Sequence, residues 1–352
     1  MQPPPLAIPG AEDRVILERP NFILRRFVTW TERPPVLVVA PLSGHFGWLM
    51  RDTVIGLVAG HDVWLLEWKD ASDIPLTAGR LAVDAPILAV MECLRALPTG
   101  MTVLGVSQAP TAILAAAALM AAQGEPHRPG AMVLMGGFID TRRNPTAVET
   151  LAARLPPGWF TRHCGITVPA NHAGSGRRVY PAAIHVHALN RYLARHLALR
   201  GELYRKVTAD DRADPKGFPF LAAYSTLMDL PAEFVEDNVR QILAEARLAR
   251  GLLTCRGRAV EPDVIDDIAL MTVEGGADDS SGLGQTHAAH ALCPRLPSAL
   301  RRQWTEAEAG HFGLFHGEPW RSSILPRVAA FIGATQCQDR VSLDFSSAKE
   351  EP

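Results

Sequence analysis

Three residue types that together make an acyl-transfer site occur here in a meaningful order: Ser107, then a carboxylate at Asp278 or Asp279, then His311. A serine hydroxyl is a weak nucleophile until a base takes its proton and a carboxylate orients that base. Ser107 sits in the stretch MTVLGVSQAPTAILAAAALM, residues 101–120. That stretch reads as an apolar strand, a sharp corner and an Ala- and Leu-rich helix. A serine at such a corner is the mark of a nucleophile elbow, with the hydroxyl exposed and a helix N-terminus behind it. Small residues at Gly105 and Ala109 let the strand and helix approach closely. A serine capping a buried helix would give the same local pattern, since serine is a preferred N-cap. The rest of the chain has to decide between the two.

In the α/β-hydrolase fold the triad runs Ser, then Asp or Glu, then His, each in a loop at a strand end. His311 lies in Gly310-His311-Phe312-Gly313, after the last expected strand, which suits a loop base better than a core histidine. For the acid, Asp278 follows the turn Gly275-Gly276-Ala277 and is favoured over Asp279, with Asp140 a distant third. The oxyanion needs main-chain N–H donors. One is expected from Gln108 and the other from Leu42 or Ser43, in the loop after the strand Val36–Ala40. His45 in that loop is an alternative base, but it precedes the nucleophile and breaks the order. Metal chemistry finds less support. His185 and His187 are two apart on an expected helix and so point to different faces, and His287 and His290 lack partners. The Gly-rich dinucleotide and phosphate-loop motifs are both absent, so no cofactor is expected.

The elements that would position these residues alternate in the first half of the chain. Expected strands are Asn21–Trp30, Val36–Ala40, Val63–Trp68, the elbow strand and Ala131–Met135, with helices at Asp52–Ala59, Leu81–Leu97 and after Ser107. That alternation predicts a mostly parallel, doubly wound sheet. Ligands of such sheets gather outside the carboxyl ends of the strands. Residues 141–264 change character, with helical patterns and the aromatics Trp159, Phe160, Tyr180, Tyr192, Phe218, Phe220 and Tyr224; they read as a helical lid. Strand signal returns at Ile268–Val273 and near Arg302–Thr305, with helices at Gly284–Leu292 and Ile324–Ile332. The expected organisation is a loose extension over 1–20, a core of 21–140 and 265–334, the lid over 141–264, and a flexible tail over 335–352.

With 352 residues, 47% of them hydrophobic, the chain can bury a large core. A net charge of −2 leaves no electrostatic footprint for nucleic acid or an anionic membrane. Five scattered cysteines without a CxxC pair read as reduced thiols of a cytoplasmic chain. The N-terminus lacks the basic-then-apolar pattern of a signal peptide. The apolar run over 101–122 is interrupted by Ser107-Gln108 and Pro110, so no membrane span is expected. Oligomeric state leaves no trace in the sequence.

Several stretches together resemble the intracellular polyhydroxyalkanoate (polyhydroxybutyrate) depolymerases: APLSGHFGWLMRDTV, HDVWLLEWKDASDIPLTAGR, the elbow with LAAAALMAA, GGFIDTRRNPTAV, MTVEGGADDSSGLGQTHAAHALC and AGHFGLF. The resemblance runs from about Asn21 to Ile332 and takes in the lid, for instance RRVYPAAIHVHALNRYLARHL and YSTLMDLPAEF. It implies an α/β-hydrolase that cleaves ester bonds of stored poly(3-hydroxybutyrate) polymer or oligomers inside bacterial cells, with the storage granule surface as a place of action. The family's triad would fall on Ser107, Asp278 and His311. Two departures stand out. The family commonly has a cysteine followed by Gln-Pro where this chain has Ser107-Gln108-Ala109-Pro110, and the usual N-terminal extension is expected to be missing. Lid aromatics such as Trp159, Phe160 and Phe220 are candidates for an apolar polymer surface. The alternatives are an esterase for short hydroxyacyl esters, a polymer synthase (disfavoured by Ser107) and a non-catalytic granule-associated binding protein.

Overall fold

Runs of β-branched and large apolar residues, bounded by proline, glycine and polar turns, build the centre of the molecule. The computed structural model describes residues 6–29, 33–206 and 220–335. Its main sheet has eight strands: β1 (Glu12–Glu18), β2 (Phe22–Val28), β3 (Pro35–Val39), β4 (Asp62–Trp68), β5 (Thr102–Val106), β6 (Ala131–Met135), β7 (Ala269–Gly275) and β8 (Arg301–Glu306). They lie in the order β1-β2-β4-β3-β5-β6-β7-β8. β1 and β2 are antiparallel to their neighbours. From β4 across to β8 every pairing is parallel. β5, β6 and β7 are buried along their whole length, as central strands covered on both faces must be. This is the expected α/β-hydrolase architecture.

Helices α1 (Arg51–Val58), α2 (Asp84–Arg95) and α3 (Ala109–Ala122) follow β3, β4 and β5. α3 is buried from Ala109 to Met120 and is apolar all round, which fits a helix enclosed by sheet and neighbours. Its alanines let α2 pack closely, and a wholly buried Leu114 contributes about 1.5–3 kcal/mol. α1 is tied to the C-terminal region, where Trp320 is fully buried and its indole N–H donates to Asp52 O at 3.2 Å. The last helix spans 325–335. Among the described residues no helix is long and apolar enough to cross a membrane.

Of the insertion between β6 and β7, the described residues 141–206 and 220–264 form mostly short helices, the longest among them α4 (Ala182–Ala198). A small three-stranded sheet (Ile166–Thr167, Arg178–Tyr180, Leu230–Pro231) and a hairpin (Thr254–Cys255 with Arg258–Ala259) also occur there, where no strand was expected. The insertion is bound to loops at the carboxyl ends of the parallel strands. Arg177, 3% exposed, donates to the carbonyls of Ile74, Pro75 and Gly79, and Gly174 N donates to Ser72 O.

Two expectations need correction. The first twenty residues are not all loose, because Glu12–Glu18 is β1 and Leu6 and Ile8 are buried in the core. β1 is an edge strand with Val15 and Ile16 exposed, so it lacks the alternation that marks a half-buried strand. The expected helix over Gly284–Leu292 is helical only at Ala289–Leu292. The Glu274 carboxylate captures the N–H groups of Gly284 and His287 and holds the preceding residues in turns. Trp30, Phe218 and residues 336–352 of the expected tail lie outside the described residues.

Candidate active site

Only Ser107 and Gln108 separate β5 from α3, so the backbone must reverse within two residues. Ser107 takes this up with a φ of +62°, a left-handed conformation unusual for a residue with a side chain. Its N–H is held by Met135 O at 3.0 Å, which ties the corner to the end of β6. The close approach dictates small neighbours: a Cβ on Gly105 would stand 2.8 Å from the Ala109 Cβ. The bend also sets the serine at the N-terminus of a 14-residue helix, whose dipole favours developing negative charge.

His311 follows β8 in the loop of residues 310–316. Its Nε2 accepts from Ser107 Oγ at 3.1 Å, and its Nδ1 donates to Asp278 Oδ2 at 2.8 Å. Asp278 follows β7 with its side chain 1% exposed. The other oxygen accepts from the N–H groups of Ser280 (2.8 Å) and Ser281 (2.9 Å), so the buried carboxylate is held on both sides. Burial alone would push the His311 imidazole down. The charge and hydrogen bond of Asp278, joined by Glu202 and Asp279, outweigh it and raise His311 above its ordinary value.

The competing carboxylates are engaged elsewhere. Asp279 accepts from Tyr192 Oη at 2.5 Å and from His196 Nε2 at 3.3 Å, both on α4. Asp140 is paired with Arg142 at 2.7 Å and Arg143 at 3.4 Å.

In the loop after β3, His45 Nε2 faces Tyr224 O at 3.1 Å and Nδ1 lies 3.0 Å from Ser43 Oγ. A carbonyl can only accept, so Nε2 carries the proton and Nδ1 accepts from the serine. Burial, with His185 and His311 nearby, pushes His45 down to about 3, the Tyr224 carbonyl opposing only in part. A neutral imidazole with both nitrogens occupied has no lone pair left for Ser107. The loop is fastened to the insertion a second time, by Met228 N donating to Gly44 O at 2.8 Å. Leu42 and Gln108 line one small apolar cavity together with Trp68, Ile87 and Phe234, with room of about 20 Å³ for the centre of a water molecule.

The other histidines of interest have structural partners. The rings of His45 and Tyr180 flank His185. His287 and His290 share Thr272 Oγ1 at 2.7 and 3.0 Å. Among the described residues no three His, Cys, Asp or Glu side chains converge as a metal site would require. Phe220 is buried against Phe312, Tyr224 and His316, whereas Trp159 and Phe160 are half-buried and in edge contact with each other. Two residues near the site escaped sequence reasoning as such. Tyr192 was only one lid aromatic among several, and Glu202 carries no motif. The only available signal for Glu202 was the pair of glycines flanking His311, which announces a close neighbour without naming it.

No curated protein matches the chain in sequence. Among solved structures it is similar to a monoacylglycerol lipase from Paleococcus ferrophilus, at 12% identity and a TM-score of 0.52, covering 89% of this chain and 99% of that one. A thermophilic esterase from Thermogutta terrifontis is similar at 13% identity and a TM-score of 0.51, covering 89% and 94%. These likenesses establish the fold. The family model described as PHB de-polymerase C-terminus matches residues 136–336, a span that begins after Ser107 and contains Asp278 and His311. That span is more than half of the chain, and the protein belongs to the PHB depolymerase C-terminus family.

Proposed function

We propose that the protein hydrolyses ester bonds of poly(3-hydroxybutyrate) or related polyhydroxyalkanoate polymers and oligomers, with Ser107 as nucleophile, His311 as base and Asp278 as the residue that orients it. The observation that carries this reading is the continuous hydrogen-bonded chain Ser107–His311–Asp278 at the carboxyl edge of the sheet. Family membership supports ester hydrolysis as the reaction class and the polyester as substrate.

In this mechanism His311 takes the Ser107 proton as Oγ attacks the ester carbonyl, and the carbonyl electron pair moves onto oxygen. The N–H of Gln108 and that of Leu42 or Ser43 hold the oxyanion. Collapse breaks the C–O bond, His311 protonates the departing alkoxide, and an acyl-serine remains. Water, deprotonated by His311, attacks that ester and returns Ser107 with its proton. Asp278 stays ionised and stabilises the imidazolium at each stage. Residues 141–264 act as the cap over this site. Serine in a position where the family commonly has cysteine leans harder on its base, because a hydroxyl is far less acidic than a thiol.

The test is to incubate the purified protein with amorphous polyhydroxybutyrate and measure released 3-hydroxybutyrate, alongside Ser107→Ala and His311→Ala. Release by the wild type alone supports the proposal. Turnover of short hydroxyacyl esters without attack on polymer would make it a small-ester hydrolase, and no difference from the variants on any ester would overturn both.

A further inference from the structure

Glu202 opens a short helix of the insertion, Glu202–Arg205, and is 9% exposed. Its carboxylate accepts from Phe312 N at 3.1 Å and, more closely, from Gly313 N, the first two N–H groups after His311. The loop is shaped around it. A Cβ on Gly310 would lie 2.7 Å from Glu202 Cδ, and one on Gly313 would lie 3.0 Å from Oε1. One turn on, Lys206 is 2% exposed and donates to His316 O at 2.8 Å, with His316 Nδ1 at 3.2 Å and the Phe220 ring beneath it. The loop bearing His311 is thus gripped near both ends from the insertion.

Resting on the reading of His311 as base, we infer that Glu202 is a positioning residue that seats the His311 imidazole toward Ser107 from within the insertion. It touches neither Ser107 nor substrate and acts through the loop. Burial pushes the Glu202 carboxyl above its ordinary value, while Lys206, the Phe312 and Gly313 N–H groups and the nearby His311 favour its ionised form. Among the described residues, the charged and titratable groups around it are Lys206 just past the end of its helix, His311 on the gripped loop and Tyr192 on α4. Its negative charge adds to those of Asp278 and Asp279 in holding the imidazolium.

The experiment measures p-nitrophenyl butyrate hydrolysis and Ser107 labelling by a fluorophosphonate probe, each across pH, for wild type, Glu202→Gln, Glu202→Asp and His311→Ala. Glu202→Gln loses one acceptor and the charge. Its kcat should fall about 10- to 100-fold with KM nearly unchanged, and its acid limb should move to lower pH, because a less stabilised imidazolium loses its proton sooner. Glu202→Asp keeps the charge but not the reach, so kcat should fall while the acid limb stays near that of the wild type. Wild-type kcat in both variants, or a rate loss in Glu202→Gln with an unmoved acid limb, overturns the inference. So does the failure of both variants to melt cooperatively, which would assign the carboxylate to stability alone. His311→Ala separates the two levels: if it remains active, the triad reading itself fails, whatever Glu202 does.

Discussion

Ser107 Oγ and His311 Nε2 stand 3.1 Å apart although 204 positions separate the two residues. The distance suits direct proton transfer without an intervening water. Ser107→Ala and His311→Ala should therefore each lower ester hydrolysis by about 10⁴-fold or more, with little further loss in the double variant, because the pair works as a unit. Steady-state rates on p-nitrophenyl butyrate check this. Additive single losses would separate the two residues.

A thiol placed at the elbow should be unusually acidic, since a helix N-terminus and His311 both favour its thiolate. In Ser107→Cys, alkylation by iodoacetamide should titrate with a midpoint below about 8.5. Among the described residues, burial pushes Cys255 up to about 11 and Cys293 to about 12, and raises Cys93 and Cys164 as well. Mass spectrometry of the modified peptide gives the midpoint, and a value at or above that of an ordinary thiol counts against the elbow geometry.

The pH profile follows from the sign of the His311 shift. The base must be unprotonated, so kcat/KM rises with pH through the pKa of His311. Burial lowers that value, Asp278 and its neighbours raise it further, and the net direction is upward. The acid limb should therefore have its midpoint above 6.5. Removing the Asp278 charge leaves burial dominant, so Asp278→Asn should move the limb below 6.5 in whatever activity survives.

Adjacent aspartates should behave very differently. Asp278→Asn should lower kcat by about 10⁴-fold, because the imidazole loses its orienting acceptor. Asp279→Asn removes an acceptor for Tyr192 and His196 and should keep activity within about tenfold. Parallel assays decide it, and equal losses would mean that the α4 contacts matter as much as the acid.

Gly105→Ala forces a methyl against Ala109 and Ile113. Both belong to a close-packed layer, so the change should cost about 1–3 kcal/mol in urea unfolding. It should also reduce Ser107 labelling in the folded fraction. A neutral effect on both would mean that the corner has slack.

Much of this was legible because the signals were local. Val36–Val39 and Ala131–Met135 are unbroken apolar runs, and such runs fit strands covered on both faces. The elbow could be read from Gly105, Ser107 and Ala109 because a tight corner admits few side chains. Chain order pointed to Asp278 and His311, and folding brings their side chains within hydrogen-bond distance, which is a tertiary event. What stayed illegible depended on distant partners. β1 hides among Glu12, Asp13, Arg14 and Glu18 because an exposed edge strand has no buried face to pattern. Gly284–Leu292 has helical spacing, yet the Glu274 carboxylate competes for its N–H groups. Glu202 looks like any surface glutamate until folding brings it beneath Phe312 and Gly313.

The fastening of the loop after β3 bears on how the chain is divided into parts. Gly44 is held by Met228, and His45 by the Tyr224 carbonyl, through main-chain atoms of the insertion. Side chains at 224–228 could drift while those bonds persisted, but the path of the backbone could not. Seen as modules, the sheet and the insertion are not a self-sufficient engine with a detachable cover. A chain shortened across 224–228 would keep Ser107, Asp278 and His311 and still lose the anchor of a loop beside them. Chimeras between relatives should therefore exchange residues 42–45 and 224–228 as one block.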